Sequence, residues 1–408
     1  MPQFSYVAHA KDGSVQKGTL LAKDRGELSS TLRSQGLLLI SADEDGKKGS
    51  LGSKNIKIPG LSGVKMTERV LLTRHLQIMI KAGLSITHAL QILEEQTENT
   101  VLKEIISDVK TRVERGQTLT DSLKEHPKVF PPFYTSMVAV GELGGTLEET
   151  LDDLAEQLKK DYELVAKVRG AMLYPVVILS VMLVVAGVMI VYVLPQLVDI
   201  FRDVDADLPI TTRALIGLSD FVQQYGFFVL IGIVLFVVLL VAWRRTEQGK
   251  RAFHWTFIHF PLFGDVIRKV NLARFANTTS ILLASDISIV ETFKIVRDVV
   301  ANVYFKDIMT GSAEQVKKGV AISEALGTEE AEALFPPVVR QMVSVGEQTG
   351  TLDSVLADLG EFYEKDVTRT TDNLSSIIEP VLMVILGAAV GIVAVSVISP
   401  IYSLIDTF

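Results

Sequence analysis

The sequence predicts a mostly α-helical integral membrane protein with three transmembrane helices, two duplicated cytoplasmic helical bundles and a small N-terminal α+β domain. Three observations predict it. Three blocks carry no Asp, Glu, Lys or Arg: Ala171–Val198, Phe221–Trp243 and Pro380–Ile405. Each is long enough to cross a hydrocarbon core, which takes about 20 helical residues. The chain also repeats itself. Residues 130–152 read FPPFYTSMVAVGELGGTLEETLD and residues 335–357 read FPPVVRQMVSVGEQTGTLDSVLA, identical at 12 of 23 positions without a gap. Each copy leads through a charged helical run into an apolar block, so one unit, bundle plus span, occurs twice. Finally, apolar residues before each copy recur at helical spacing between glycine stops and Ser/Thr starts.

In chain order, QFSYVA (3–8) and VQKGTLL (15–21) read as two strands around the Lys11-Asp12-Gly13 turn, an Asp-Gly hairpin signal. Asp24–Gln35 reads as a helix with Leu28 and Leu32 one turn apart, Gly36 stops it, and LLLIS is a third strand. This gives residues 1–42 as an α+β domain. Residues 43–65, rich in glycine and lysine, form a flexible linker.

Residues 66–170 form the first bundle, with helices over Thr67–Ala82, Thr87–Glu98, Thr100–Arg115, Thr118–Glu125, Tyr134–Glu142 and a last one from Thr146 toward Arg169. Gly83 and Gly116 suit helix C-terminal stops, Ser85 opens the second helix, and Thr146 with Glu149 three residues on reads as a capping box. The first transmembrane helix is 171–197, a loop follows over 198–220, and the second transmembrane helix is 221–243. A basic connector, 244–269, holds a helix over Gln248–Phe260 and leads to the second bundle, 270–376. The third transmembrane helix is 377–402, leaving a tail at 403–408. Pro175 and Pro380 fall in the first turns of their spans and Pro195 and Pro400 near the other ends, positions able to kink a helix.

Charge sets the orientation. Lys167 and Arg169 precede the first span, Arg244, Arg245, Lys250 and Arg251 follow the second, and Lys365 and Arg369 precede the third. The loop between the first two spans holds Asp199, Asp203, Asp205, Asp207 and Asp220 against Arg202 and Arg213. Basic flanks stay in the cytoplasm. Both bundles and the N-terminus are therefore expected on the cytoplasmic side of the membrane, with the 198–220 loop and the C-terminal tail outside. The second span is what returns the chain so that both bundles share one side.

The chemistry is sparse. A net charge of −8 argues against a nucleic-acid partner, and with no cysteine the chain has no thiolate chemistry or disulfides. There is no P-loop GxxxxGK[ST], no HExxH and no GxSxG, so no enzyme activity, cofactor or metal is expected. The charge-free spans lack the ionisable groups that mark a transport path. What remains is the repeated turn. Gly141, Glu142, Gly145, Thr146 and Leu147 correspond to Gly346, Glu347, Gly350, Thr351 and Leu352. Three readings of the two glutamates stay open: a helix-terminal carboxylate, a contact surface for a partner or second protomer, or a divalent-ion site with Glu148 and Glu149. In the third span Gly387 and Gly391 form a G-x-x-x-G suited to helix packing, within the chain or between chains.

V-G-E-x-x-G-T-L occurring twice, F-P-P before each copy and three spans together resemble the inner-membrane platform protein of type IV pilus and type II secretion machines. FSYVAHAKDGSVQKGTL resembles that family's leading domain, and Asp286 stands where the second copy customarily has a turn glycine. The resemblance implies a non-enzymatic platform that couples a separate hexameric cytoplasmic ATPase to assembly of pilins or pseudopilins. It also implies contact with inner-membrane alignment-complex proteins and a homo-oligomer in the lipid bilayer. The alternative classes are a component of a membrane transport complex and another membrane scaffold.

Overall fold

The computed structural model describes residues 3–10, 15–22, 25–34, 37–45, 63–193, 210–261 and 263–405. The turn expected at Lys11–Gly13, most of the linker, the acidic loop after the first span with Pro195, and the last three residues lie outside the described residues. The chain divides into two compact units, residues 1–63 and 64–408.

In the smaller unit, β1 (Gln3–Ala10), β2 (Val15–Leu21) and β3 (Leu37–Asp45) form an antiparallel sheet in the order β2-β1-β3, with α1 (Arg25–Ser34) between β2 and β3 in the chain. The register pairs Gln3 with Leu21 on one side and Gln3 with Asp45 on the other. Leu28 and Leu32, one turn apart on α1, are fully buried with Ala22 and Leu37. The third strand is longer than LLLIS. It runs to Asp45 because the eight residues of β1 present a second edge of N–H and C=O groups, and the ladder that satisfies them ignores side-chain polarity.

The larger unit is helical. Its first bundle comprises α2 (Met66–Lys81), α3 (Ile86–Gln96), α4 (Thr100–Glu114), α5 (Leu119–Lys124), α6 (Pro132–Gly144) and the long α7 (Leu147–Val188), which runs on as a π-turn over Met189–Val193. The starts are capped by their own sequence. Ser85 Oγ accepts from His88 N, Asn99 Oδ1 from Val101 N and Leu102 N, and Thr118 Oγ1 from Asp121 N. Gly83 and Gly116 stop their helices at φ +83° and +90°.

Next comes α8 (Ile210–Arg244), then α9 (Glu247–His259) and the second bundle: α10 (Gly264–Ala284), α11 (Ile289–Val299), α12 (Val303–Lys317), α13 (Ile322–Ala325), α14 (Glu329–Glu332), α15 (Pro337–Thr349) and α16 (Leu352–Ile405). Several boundaries move. Helix α8 begins at Ile210, so part of the expected 198–220 loop is helical, because a helix does not end where its apolar block ends. The second bundle begins at Gly264, not near Val270. Asp286 adopts φ +58°, the left-handed conformation that Gly83 has in the first copy, and Asp is among the few residues that tolerate it. Thr146 and Ser288 occupy N-cap positions, but neither side chain accepts a capping hydrogen bond. For Thr146 the backbone lies at φ −108°, ψ 32°, outside the extended region from which a side chain reaches N2 or N3.

One apolar core runs through both bundles and joins Leu76, Met137 and Leu151 to Phe275, Phe335 and Val343. The two bundles also meet through polar groups at α7. Arg274 Nε donates to Asp161 Oδ1 at 2.6 Å, and Lys167 lies 3.5 Å from Asp372. Helices α7 and α16 continue without a break from charged to apolar sequence, straight through Pro175 and Pro380. By rise per residue they are about 63 and 81 Å long. Among the described residues three helices are long and apolar enough to span a bilayer: α7, α8 and α16. Their outer halves leave Leu183, Val184, Phe227, Phe236, Val384 and Val390 exposed. A surface so apolar requires a hydrocarbon solvent. This is an integral membrane protein with three spans.

Candidate functional site

The duplicated turn is a helical corner, and each of its conserved-by-repeat residues has a physical task. Pro131 and Pro336 precede the corner helices α6 and α15, and Pro132 and Pro337 open them with φ already set for a helix. Phe130 and Phe335 lie buried beneath. Phe130 meets Tyr134 at 4.9 Å with the rings tilted, and Phe335 meets Phe275 and Phe305 at 5.1 and 5.3 Å. Burial pushes the Tyr134 hydroxyl up to about 12, and it pairs with Thr73 Oγ1 at 3.1 Å.

Gly141 and Gly346 sit where the corner helix crosses the next one. A Cβ on Gly141 would stand 2.7 Å from Thr150 Oγ1 and 3.0 Å from Leu147 Cα. On Gly346 it would stand 3.0 Å from Leu352 Cα and 3.3 Å from Val355 Cβ. The neighbours are the same repeat positions in both copies, with Val355 standing where the first copy has Thr150. Gly145 and Gly350 then reverse the chain at φ +71°. Thr146 N and Thr351 N donate back to Gly141 O and Gly346 O at 2.9 and 3.0 Å, satisfying helix-terminal carbonyls. Leu147 and Leu352 pack against the core. Thr349, which replaces Gly144, uses its hydroxyl locally, against Val345 O and Thr351 Oγ1.

The glutamates do the same work in both copies. Glu142 Oε1 accepts from Leu119 N at 2.7 Å, and Oε2 accepts from Thr120 N at 2.9 Å and Thr120 Oγ1 at 2.6 Å. Glu347 Oε1 accepts from Ile322 N at 2.8 Å, and Oε2 from Ser323 N and Ser323 Oγ at 3.3 Å. Each carboxylate therefore caps the N-terminus of a short helix, α5 or α13, where unpaired amides and the helix dipole favour an anion. The two caps differ in support. Thr118 adds a side-chain cap to α5, whereas Ala321 at the start of α13 adds none.

Both oxygens of each carboxylate are thus engaged with backbone donors. Glu148 instead lies 3.1 Å from Lys81, on the outer side of α7. Among the described residues no three His, Asp or Glu side chains are grouped as metal ligands. The ligands of the two glutamates, Leu119-Thr120 and Ile322-Ser323, were missed by reading the repeat alone. Their signal is a second, fainter repeat: Gly116-Gln-Thr-Leu119-Thr120 and Gly319-Val-Ala-Ile322-Ser323 share a G-x-x-[LI]-[TS] spacing. Gly387 and Gly391 lie together on α16, and a Cβ on either would meet nothing within 4 Å.

Outside the corners, a groove of about 760 Å³ runs between α2 and α7, lined by Val70, Leu71 and Tyr162 and crossed by an Arg74–Asp152 ion pair. Within the second bundle, between α10 and α16, Asn277 Nδ2 donates to Glu364 Oε1 at 2.6 Å, and burial raises that carboxyl above its ordinary range. Arg69, close to Tyr134 and Asp161, has its guanidinium lowered by burial.

The sequence matches a family model described as type II secretion system protein F over residues 72–195 and again over 275–400. It matches the N-terminal domain of the same family over residues 1–43. A type IV pilus assembly protein PilC of Myxococcus xanthus is 34% identical over 98% of this chain and 95% of its own length. That of Thermus thermophilus is 34% identical over 100% and 99%. A type II secretion system protein F of Pseudomonas aeruginosa is 30% identical over 99% of both. The two family matches fall on the two bundle-and-span copies, each with its corner, its capping glutamate and its long helix. The chain belongs to the type II secretion system protein F family.

Proposed function

We propose that the protein is a non-enzymatic platform in a bacterial inner membrane, coupling a separate hexameric cytoplasmic ATPase to assembly of pilins or pseudopilins. One observation carries this reading. In each copy the corner ties a bundle to a helix that continues unbroken into the membrane, α7 in one and α16 in the other. A push on a bundle is transmitted along a stiff rod rather than absorbed in a loop. The relatives' names place such chains in pilus assembly and type II secretion. The basic flanks of the spans support bundles and N-terminus in the cytoplasm and the C-terminus in the periplasm. The corner residues serve this function architecturally, holding the surface that the ATPase and the alignment-complex proteins meet. Gly387 and Gly391, uncovered within the chain, suit a helix–helix contact in a homo-oligomer.

The test uses the absence of cysteine in the chain. Single cysteines placed on the exposed faces of α4 and α12 should cross-link to the cognate ATPase in membranes and be labelled from the cytoplasmic side alone. A cysteine at Phe408 should be labelled from outside. Labelling of the bundles from the periplasm, or fibre assembly that survives deletion of the gene, would overturn the proposal.

A further inference from the structure

We propose that α9 is an interfacial helix that lies in the headgroup layer of the bilayer and holds anionic phospholipid there. The inference rests on the three spans, not on the platform reading.

Helix α9 is pinned to the polar end of a span. Only Arg245 and Thr246 separate it from α8, and the chain turns sharply between them. Arg245 N and Thr246 N donate to Ala242 O and Trp243 O, Thr246 Oγ1 also donates to Trp243 O, and Gly249 N donates to Thr246 Oγ1. A Cβ on Gly249 would fall 2.0 Å from Trp243 O, so the first turn of α9 lies directly against the last carbonyls of the span. A second corner closes the other end, where a Cβ on Gly264 would fall 2.1 Å from Ile258 O. Helix α9 is therefore a short step between two tight corners.

Its polarity is inverted for a helix in water. The face against the second bundle carries Arg251 and His254 as polar anchors, with Ile258 between them. His254 Nδ1 accepts from Val303 N at 3.0 Å, Arg251 pairs with Asp307 at 3.0 Å, and Ile258 is 4% exposed. At 100° per residue, the arc opposite Arg251, His254 and Ile258 runs from Trp255 through Gln248, His259, Ala252, Thr256, Gly249 and Phe253 to Phe257, with no Asp, Glu, Lys or Arg. Trp255 and His259, at one edge of it, also border a groove shared with Tyr304 and Asp307. Trp255 is 54% exposed, Phe257 37% and Phe260, just past the helix, 45%. A surface helix in water shows the reverse arrangement, charged face outward. Aromatic side chains outward and adjacent to the end of a span are the pattern of the membrane–water interface.

The charges around the step match lipid phosphate. Arg244 lies with its guanidinium 4.5 Å from the Phe253 ring centroid, and the Phe253 and Phe257 rings meet at a tilt with centroids 4.4 Å apart, so the cation and the aromatic ridge share one level. Arg245 and Lys250 flank the same corner, against a single acid, Glu247, 4.0 Å from Lys250. Headgroup phosphates meet Arg244, Arg245 and Lys250 while the rings enter the acyl boundary.

The chain has two tryptophans, Trp243 and Trp255, so Trp243→Phe leaves Trp255 as a single reporter on the proposed face. The full-length variant is reconstituted into phosphatidylcholine vesicles with and without phosphatidylglycerol, with brominated lipid carrying bromine near the headgroup or near the chain end. Trp255 emission should be quenched at least about twofold more by the shallow bromines than by the deep ones, and more strongly when phosphatidylglycerol is present. Adding Arg245→Gln and Lys250→Gln should abolish the phosphatidylglycerol effect, and adding Phe257→Ser with Phe260→Ser should raise quenching by aqueous acrylamide with the helical circular dichroism unchanged. Free access to acrylamide without bromolipid quenching would overturn the proposal by putting α9 in water. Protection from both quenchers would overturn it in favour of a second copy or a protein partner on this face. Quenching indifferent to phosphatidylglycerol would overturn the anionic-lipid assignment.

Discussion

Replacing Glu142 by glutamine isolates the capping role of the carboxylate at nearly constant shape. The native group accepts three hydrogen bonds at 2.7, 2.9 and 2.6 Å, two of them from the first amides of α5. Glutamine keeps one oxygen and puts an NH₂ where the other stood, facing donors. At least one charge-assisted bond is lost outright, worth about 1.5–3 kcal/mol, and the favourable anion–dipole term goes with it. Thr118 still caps Asp121 N, so α5 frays rather than disappears. A local loss of about 2–3 kcal/mol accelerates amide exchange by about 30- to 160-fold. Hydrogen-exchange mass spectrometry on the full-length protein in nanodiscs reads this in peptides covering residues 117–126, while peptides from α12 serve as an internal control. Glu347→Gln should do the reverse, exposing α13 and sparing α5. Exchange in 117–126 within about twofold of wild type would show that the carboxylate does not hold α5, and the whole account of the corner would fail with it.

Gly141→Ala should destabilise the α6–α7 crossing by about 1–3 kcal/mol, because the new methyl meets backbone at Leu147 as well as the movable Thr150 side chain, and thermal unfolding of the solubilised protein would report it. Gly145→Ala acts through conformation instead, costing about 1–2 kcal/mol at φ +71°, and Gly145→Asn should recover much of that in the same assay. Arg274→Ala leaves Asp161 without its 2.6 Å partner and should weaken the contact between bundles by about 2 kcal/mol, read as increased protease cleavage between them with each bundle still protected. His254 is held neutral by burial first and by Lys250, Arg244 and Lys306 next, and its Nδ1 must be unprotonated to accept from Val303 N. Its folded pKa lies below the unfolded value, so the unfolded chain binds the proton more readily. The contribution is present above about pH 6.5 and is lost as pH falls through the lowered folded value. Exchange at the start of α12 should rise over that window, and His254→Asn should flatten the dependence.

The architecture was legible because its signals are local or periodic. The spans follow from uncharged blocks, and the strands and α1 from alternation, Asp-Gly and paired leucines. The duplication made the corner visible twice. Turn positions were equally readable: Gly145 and Gly350 do reverse the chain, and Asp286 does take the conformation of a glycine. What sequence could not supply was the identity of the groups brought together across helices. Glu142 looked able to face a partner, an ion or its own bundle, and nothing near it in the chain names Leu119 and Thr120. Thr146 had the spelling of a capping box, yet its backbone, fixed by the left-handed Gly145 before it, keeps its hydroxyl from the amides ahead. The arrangement of α9 was hidden for a similar reason. Read as a basic connector, its charges stand out, and only the packing shows that part of them face the bundle and the aromatics face away.

The corner also bears on how the chain is made. The hydrogen bonds from Leu119 and Thr120 to Glu142 join residues 22–23 positions apart, and those from Ile322 and Ser323 to Glu347 join residues 24–25 apart. The links between bundles are far longer, 113 positions from Arg274 to Asp161 and 148 from Ser285 to Met137. Short loops close first and at low entropic cost. During synthesis from the N-terminus, everything the first corner needs has been made before the apolar half of α7 follows. The first bundle can therefore reach its native shape while its own span is still entering the membrane. Its face for the second bundle then waits, finished but uncovered, through more than a hundred further residues of synthesis, and that interval is when the nascent chain most needs a chaperone or a neighbour.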